Sequence, residues 1–593
     1  MARLELVEAS LRYGQQALLL SRLRQRHAVR AAELLDGCGF AALEVFGGAT
    51  FEAQLRFLGE DPFERLRALR AAAPGTPLMA TLAGQMLVGH RHLPDDIVAG
   101  FIRLAAAAGI DTFRLIDPLN DPEGLAVAVR AAKEAGSRAE GGVVCTAAPA
   151  ATLARVAAGL AALGCDSLCL HDPLGAVGSA RAAELVRALA EATPLPVSVS
   201  FSAHTGQAAL ALRAAHRAGA VRADVCVSPL GGGASLPSAE SVIAGLSGTS
   251  SATSVPLEPV TRVAHLLEEI APLYADLLDP ALFRFDGAAL RGMLPVSAMG
   301  HGLAELRDRG ALDRLPDVEA EITRVRRELG DPPPVSPFPE LITTQSVYNV
   351  FEGDRYATLS QEIKDYCLGL FGHPPEPIDP EVQRLVIGRE EPITCRPADL
   401  LAPGLPPAAR DLARQGLRHD PEAAVSYALF GADFAALLRG EALVERLPDE
   451  PDPAIGAAEE ARWEPVEPAA PAALEPASIT AEDARHLRVE VDGQIYEVRV
   501  FGAPGPIGAQ PAPPAAPSAP RVRDGTITAP MQGLILKVTV SLGEPVQIGD
   551  VVAVLEAMKM QNDITATRSG RVAAIHVRAG DVVGPQAPIV DIE

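Results

Sequence analysis

The stretch Glu556-Ala557-Met558-Lys559-Met560 stands between two copies of one pattern near the end of the chain. Residues 526–555 and 563–592 match at an offset of 37. The matched pairs are Thr528 and Thr565, Ala529 and Ala566, Gly533 and Gly570, Val540 and Val577, Gly543 and Gly580, and Val546 and Val583. Short β-branched runs punctuated by glycine are typical of strands and tight turns. The repeat predicts two related units packed together, with Lys559 at an exposed hairpin tip.

This C-terminal region resembles the biotinyl domain, a flattened all-β barrel of two quasi-symmetric halves. In that family the lysine of Ala-Met-Lys-Met receives biotin through an amide bond, so the resemblance implies covalent biotin on Lys559. Pro530-Met531-Gln532-Gly533 departs at one position from the family's usual Pro-Met-Pro-Gly. A lipoyl domain and an unmodified surface lysine are the alternatives, and the methionines that flank Lys559 favour biotin.

Composition limits the class of protein. The 593 residues predict several domains. A formal net charge of −23 argues against nucleic acid and against an acidic membrane surface as partners. The sequence has neither a long apolar run nor a signal-peptide pattern, so we expect no direct membrane insertion. Seven scattered cysteines fit a reduced, cytoplasmic location better than a disulfide framework.

Short apolar runs alternate with helix-length segments from the N-terminus to about residue 250. The runs are 4–7, 42–47, 77–82, 112–117, 139–145, 167–171, 197–201 and 223–228. Eight βα units of this length predict an α/β fold, a TIM (β/α)8 barrel. A doubly wound open sheet is the alternative, but no Gly-x-Gly-x-x-Gly follows the first run.

Polar motifs follow several of these predicted strands, at the face where such barrels carry their chemistry. They are 11–16, 44–51, 117–121 and 228–233. Together with the segment 42–65, they resemble the carboxyltransferase subunits of biotin enzymes: pyruvate carboxylase, the oxaloacetate decarboxylase α subunit and transcarboxylase. The resemblance runs to about residue 440 and resumes at the biotinyl domain. It implies transfer of a carboxyl group between biotin on Lys559 and a small 2-oxo acid of the pyruvate or oxaloacetate type.

The expected domain layout follows from composition and resemblance. The parts are 1–255, a carboxyltransferase-like TIM barrel; 256–447, a mostly helical conserved carboxylase domain; 448–478, a linker; 479–502, a short β hairpin; 503–524, a Pro/Ala linker; and 525–593, the biotinyl domain. An extended linker of this kind reaches roughly 60 Å. Such a tether lets the biotin visit more than one active site at high effective concentration.

The metal site of the family is missing from this sequence. The resemblance implies a divalent metal held by an Asp, a carbamylated Lys and a His-x-His pair, and an Arg that binds the substrate. The matching metal positions carry Tyr13, His171, Ser200 and Ser202, and Ala83 replaces the Arg. These side chains cannot rebuild a four-ligand site by the usual metal preferences. We therefore expect no metal there. A relocated site that uses His171 and His204, with His90 and His92 near the mouth, is the alternative.

Other family positions are retained. Arg12, Gln16, Asp117 and Asn120 match the family, and Ser336 keeps a hydroxyl where the family has the threonine that shuttles a proton. The candidate catalytic residues are therefore Ser336, Arg12, Gln16 and Asp117. Structural roles are open alternatives: Arg12 and Asp117 could pair with each other, and Ser336 could be a turn serine.

Two functions from different classes stay open. The first is an enzyme subunit that transfers carboxyl in a rebuilt or metal-free site. The second is an inactive barrel that serves as scaffold and biotin carrier for partner subunits. Because no Gly-rich ATP-binding signature is evident, either function implies a separate biotin carboxylase or decarboxylase subunit, besides a biotin-protein ligase. We also expect a homo-oligomer.

Overall fold

The computed structural model describes most of the chain, in two compact units. The described residues are 3–287, 290, 294, 306–307, 309–351, 354–442, 444–445, 447, 485–491, 494–500, 526–529, 533–557, 560–578, 581–583 and 587–592. The units are Met1–Glu450 and Pro451–Glu593.

Eight parallel strands form a closed barrel in the first unit, as predicted. They are β1 (Glu5–Glu8), β2 (Ala42–Gly47), β3 (Leu78–Leu82), β4 (Thr112–Ile116), β5 (Arg138–Val144), β6 (Ser167–Asp172), β7 (Val197–Phe201) and β8 (Arg222–Val225). Each strand begins within one residue of the predicted run. Pairing of Glu5 with Arg222 joins β1 to β8 and closes the barrel.

Helices surround this barrel. They are α1 (Gln15–Leu18), α2 (Gln25–Leu35), α3 (Thr50–Ala53), α4 (Pro62–Ala72), α5 (Asp95–Ala107), α6 (Ala126–Glu134), α7 (Ala150–Ala162), α8 (Ser179–Ala192), α9 (Ala208–Ala218), α10 (Ala239–Leu246) and α11 (Leu257–Ile270). The start of α4 shows how the sequence sets a boundary. The Asp61 carboxylate accepts the amide of Phe63 at 2.9 Å, and Pro62 occupies the first turn, where it needs no amide partner.

The middle of the chain is helical where the structure describes it, as predicted. Its helices are α12 (Leu315–Glu328), α13 (Phe338–Phe351), α14 (Gln361–Cys367), α15 (Pro380–Ile387), α16 (Leu405–Arg414) and α17 (Pro421–Arg439). A second core forms around the rings of Phe338, Tyr366 and Phe371. The helix α17 returns to the barrel, where Phe430 stacks on Phe51 with ring centroids 5.5 Å apart. The barrel and this helical region therefore share one compact unit.

The second unit is built of strands. A hairpin pairs β9 (Arg485–Val491) with β10 (Gln494–Val500). The others are β11 (Thr526–Thr528), β12 (Gly533–Val538), β13 (Pro545–Val546), β14 (Val551–Ala557), β15 (Met560–Thr565), β16 (Gly570–Ile575), β17 (Val582–Val583) and β18 (Pro588–Ile592). They form two four-stranded sheets, in the orders β11-β18-β16-β13 and β15-β14-β12-β17. Each sheet takes two strands from each sequence copy, so the predicted packing of two related halves is confirmed.

The predicted biotin position lies between two paired strands. Ala557, the last residue of β14, pairs with Met560, the first residue of β15. Met558 and Lys559 themselves lie outside the described residues. None of the helices that the structure describes is long and apolar enough to cross a membrane.

Candidate functional site

A cavity of about 530 Å³ opens where the barrel strands end. Its walls come from the ends of strands β3, β4 and β6, from loops after β1, β2, β7 and β8, and from the segment before α13. The residues used below that line it are Arg12, Tyr13, Gln16, Glu52, Ala83, His90, His171, His204, Ser336 and Glu340. A cavity of this size suits a small ligand. The barrel and the helical region thus build one site together.

Two of the four replaced metal positions, Tyr13 and His171, line this cavity, and a third, Ser202, is buried beside Tyr13. Tyr13 stands on a short π-helical turn (Ser10–Gly14) directly after β1. Its ring meets the ring of His171 edge-on, with centroids 6.4 Å apart, and its hydroxyl interacts with Ser202. The Ser202 hydroxyl also contacts Nδ1 of His204 and donates to the Ser235 carbonyl oxygen at 3.3 Å. The fourth position, Ser200, is buried and pairs in register with His171.

The groups in this cluster are neutral at physiological pH. Burial lowers the pKa of His171 to about 3, and the positive charges of Arg114 and Arg12 act in the same direction. Burial also lowers the pKa of His204 to about 4, and it raises the pKa of the Tyr13 phenol. A phenol, two serines and neutral imidazoles do not match the Asp, carbamylated Lys and two His that the resemblance implies for a divalent metal.

No set of three or more metal-ligating side chains is placed to hold an ion within the described part of the chain. His171 and His204 both line the cavity, so the relocated metal site stays a hypothesis that lacks a third ligand there. His92 does not belong to it, because this residue is buried against the segment at Phe371 and Gly372. The expectation that His92 lies near the mouth is therefore wrong, whereas His90 and His204 do line the cavity.

Arg12 and Gln16 stand side by side in the cavity wall. The Arg12 guanidinium lies 3.6 Å from the Glu44 carboxylate and 5.5 Å from the centre of the Tyr13 ring. Gln16 accepts the amide of Ala49 at 3.3 Å through its side-chain oxygen. Gly48 lies close to both side chains and has a φ of +52°; a Cβ there would come within 2.5 Å of the Gln16 oxygen. The glycine is thus required both by its backbone and by this close approach.

Ser336 reaches the cavity from the segment that precedes α13. Its hydroxyl oxygen lies 3.5 Å from Nδ1 of His90, which belongs to the loop after β3. Both side chains are exposed at the cavity mouth. The Ser336 hydroxyl therefore faces the space that a ligand would occupy.

Asp117 supports its own loop and is not in the cavity wall, although its neighbours Ile116 and Pro118 are. Its carboxylate accepts the amides of Leu119 at 2.8 Å and Asp121 at 2.9 Å. Burial raises its pKa to about 7, and those two hydrogen bonds oppose the rise. The alternative that Arg12 pairs with Asp117 is wrong, because the salt bridge of Arg12 is with Glu44.

Asn120, the other retained polar residue of this loop, ties it to β5. Its amide nitrogen donates to the Val144 carbonyl oxygen at 2.9 Å, and its oxygen accepts the Val144 amide at 2.8 Å. Asn120 is therefore a structural residue that fixes the end of a strand.

A buried charge network inside the barrel was not predicted from the sequence. Arg114 of β4 donates to Glu140 of β5 at 2.7 Å and binds Asp224 of β8 through both of its terminal nitrogens. Glu44 of β2 accepts the hydroxyl of Thr81 close by, and Glu8 of β1 is fully buried. The sequence did contain a signal for this network, which is the presence of charged residues in the middle of apolar strands. Charged side chains are rarely buried unless they are paired.

Comparisons with known proteins agree with this architecture. A family model described as a conserved carboxylase domain matches residues 300–498, one described as a biotin-requiring enzyme matches 525–592, and an HMGL-like model matches 123–267. One pyruvate carboxylase subunit, from Methanothermobacter thermautotrophicus, is 39% identical over 95% of this chain and 95% of its own length. The 2-oxoglutarate carboxylase large subunit of Hydrogenobacter thermophilus is 32% identical over 94% of this chain and 89% of its own.

A solved structure is similar as well. The carboxyl transferase domain of Rhizobium etli pyruvate carboxylase, solved with pyruvate, is 26% identical, with a TM-score of 0.70 over 74% of this chain and 77% of that one. Barrel, cavity and duplicated β domain thus define a carboxyltransferase subunit of the biotin-dependent class. The chain belongs to the same family as the Methanothermobacter pyruvate carboxylase subunit and its related carboxyltransferase subunits.

Proposed function

We propose that this chain carries biotin on Lys559 and moves a carboxyl group between that biotin and a small 2-oxo acid in the barrel cavity. The observation that carries the proposal is the meeting of Arg12, Gln16 and Ser336 at one cavity. Relatives named for the carboxylation of pyruvate and of 2-oxoglutarate support this class of substrate. When bound, biotin supplies the carboxyl group in an activated form.

Substrate binding and proton transfer fall to residues of the chain itself. Arg12 presents a permanent positive charge to the substrate carboxylate, and charged hydrogen bonds of this kind are the strong ones. Gln16 offers its amide beside Arg12 and helps to orient the same group. The Ser336 hydroxyl at the mouth accepts and returns a proton of the carbon that gains the carboxyl group, a task worth ~10²–10⁴-fold in rate. Asp117 enters the proposal only as a support of its loop.

We further propose that this cavity works without a metal at the family's position. Support comes from Tyr13, whose ring contacts His171 and whose hydroxyl interacts with Ser202, so these three side chains pair among themselves through Tyr13. Loss of a metal's electrostatic effect should cost several kcal/mol in the transition state, about a thousandfold in rate or more. Turnover of ordinary family substrates should therefore be slow.

The second candidate function is a scaffold that carries biotin for partner subunits and has lost its own chemistry. One observation favours it: the Tyr13 ring stands where the family has a small carboxylate, and Ala83 stands where the family has the substrate-binding Arg. The two functions differ in whether the barrel itself catalyses carboxyl transfer.

Partners follow from the same family. Relatives named as one subunit of a pyruvate carboxylase imply a separate biotin carboxylase subunit that loads the biotin. A biotin-protein ligase would attach biotin to Lys559. A homo-oligomer and a cytoplasmic location complete the proposal.

A steady-state assay separates the two functions. The biotinylated full-length chain would be supplied with oxaloacetate, and separately with a biotin carboxylase subunit, ATP, bicarbonate and either pyruvate or 2-oxoglutarate. An enzyme subunit should turn over slowly, and Ser336→Ala should lower the rate by ~10²–10⁴-fold. A scaffold should give no turnover above that of Lys559→Arg.

Turnover at ordinary enzyme rates of about 1–10³ per second would contradict the expected slowness. If Ser336→Ala also abolished that turnover, the cavity would be a rebuilt active site that works with residues other than the family's. The scaffold function would then have to be abandoned.

A further inference from the structure

Ser336 and His90 reach the cavity mouth from distant parts of the chain, 246 positions apart. His90 lies in the loop between β3 and α5, and Ser336 lies between α12 and α13. The hydroxyl oxygen of one and Nδ1 of the other are 3.5 Å apart, a separation that can tighten to a hydrogen bond when substrate binds. A serine hydroxyl is a poor base on its own, and an adjacent imidazole that takes its proton is the usual means of activation.

This inference rests on the proposed function and deepens it. We propose that His90 is the base of the site and acts through Ser336 to remove a proton from the carbon beside the keto group of a 2-oxo acid. His90 would then act as a positioning and proton-accepting residue behind Ser336, which touches the substrate.

The proton movements balance without any further reactant. The Ser336 oxygen forms a bond to the substrate's α-proton, and the electrons of the broken C–H bond remain on the substrate as an enolate. The original hydroxyl proton moves at the same time to the lone pair on Nδ1 of His90. The substrate has then gained one negative charge and His90 one positive charge. His90 then exchanges its proton with solvent, and a proton that returns through Ser336 to the substrate carbon regenerates the 2-oxo acid.

The charged groups around the pair favour this arrangement. Glu340, four positions after Ser336 on α13, lines the same cavity, and its Oε2 is buried with no hydrogen-bond partner in the structure. Glu52 of α3 also lines the cavity, but its carboxylate is paired with Arg56 at 2.8 Å. Arg12 supplies the positive charge for the substrate. His171 and His204 stay neutral, as their lowered pKa values require. The carboxylate of Glu340 would favour a positive charge in this cavity, and Arg12 would favour the negative charge of the enolate.

The test uses a reaction that needs no biotin. Full-length Lys559→Arg would be placed in D₂O with pyruvate, and separately with 2-oxoglutarate, and exchange of the α-protons would be followed by proton NMR. We expect exchange above the buffer rate, and a loss of ~10²–10⁴-fold in both His90→Asn and Ser336→Ala. The matched control is His265→Asn, which changes an exposed histidine on α11 and should exchange like the parent.

The His90→Asn variant distinguishes a residue that takes the proton from one that only accepts a hydrogen bond. Its side-chain oxygen can accept the Ser336 hydroxyl as Nδ1 does, but it cannot take the proton. Since imidazole ionises near neutral pH, exchange by the parent should rise with pH through that region, and His90→Asn should lack this rise. His90→Gln provides a second variant, and equal thermal melts would establish that each variant is folded.

Two results would overturn the inference. Exchange by His90→Asn within about threefold of the parent, with the same pH profile, would leave no proton-accepting role for His90. Exchange by the parent no faster than buffer would also remove it. The proposed function would fail separately, in the steady-state assay of the biotinylated chain, so the two failures are distinguishable.

Discussion

Replacement of Arg114 by methionine should be among the most damaging single changes to the first unit. The Arg114 side chain is 3% exposed, and its partners Glu140 and Asp224 are 1% and 0% exposed. The methionine would keep the apolar stem but would leave both carboxylates buried without their cation. Breaking a buried ion pair by removal of one partner costs about 3–5 kcal/mol. The free energy of unfolding of a domain is only about 5–15 kcal/mol, so a large share of its stability would be lost.

Equilibrium unfolding in urea, followed by near-UV circular dichroism, would measure this loss. The tyrosine part of that signal reports chiefly on the first unit, because six of the seven tyrosines precede residue 450. The matched control is Arg314→Met, which breaks an exposed pair with Asp317 at 2.6 Å. An exposed pair of this kind contributes at most about 1 kcal/mol. If Arg114→Met lowered the free energy of unfolding no more than this control, the argument for a buried network would be refuted.

The other predictions concern pH, biotin and metal. Burial raises the pKa of Glu8 to about 7, so the folded state favours its protonated form and loses stability as pH rises from about 4.5 through 7. Glu8→Gln stays neutral, and its free energy of unfolding should exceed that of the parent by up to about 3 kcal/mol at pH 8 but match it near pH 4; parallel pH profiles would contradict this. Co-expression with a biotin ligase should add one biotin by intact mass, and an adduct that survives Lys559→Arg would exclude Lys559 as its site. Elemental analysis of the purified chain should find no stoichiometric zinc, manganese or cobalt, whereas a bound metal that His171→Ala removes would establish the relocated site.

The barrel could be predicted because its strands carry a strong local signal. Runs such as 42–47 and 197–201 are apolar, short and separated by helix-length segments, which is what a parallel sheet covered by helices requires. The duplicated β domain was equally visible, since a repeat in sequence must pack as a repeat in space. In both places the pattern along the chain determines the structure.

The interior of the site could not be predicted in the same way, because its contacts join residues that are distant in sequence. The sequence does not say that Arg114 meets Asp224, 110 positions away, or that Ser336 meets His90. The match of Asp117 to a family position predicts a catalytic role for it. Only the three-dimensional structure shows that its carboxylate accepts two amides of its own loop.

The replaced metal positions lie between these two cases. Their identities were read from sequence, and the resemblance implied that they would meet. The structure adds their contacts: the Tyr13 ring packs against His171, and the Tyr13 hydroxyl interacts with Ser202.

Transfer of a labelled carboxyl group from oxaloacetate to protein-bound biotin tests the central claim most directly. The biotinylated full-length chain would be mixed with carbon-labelled oxaloacetate in a single turnover, and label on the peptide that contains Lys559 would be measured by mass spectrometry. Carboxyl transfer by this barrel predicts label on that peptide, with slower labelling in Ser336→Ala and in Arg12→Met. A fully biotinylated chain that acquires no label would contradict carboxyl transfer by this barrel and would leave it as a carrier and scaffold.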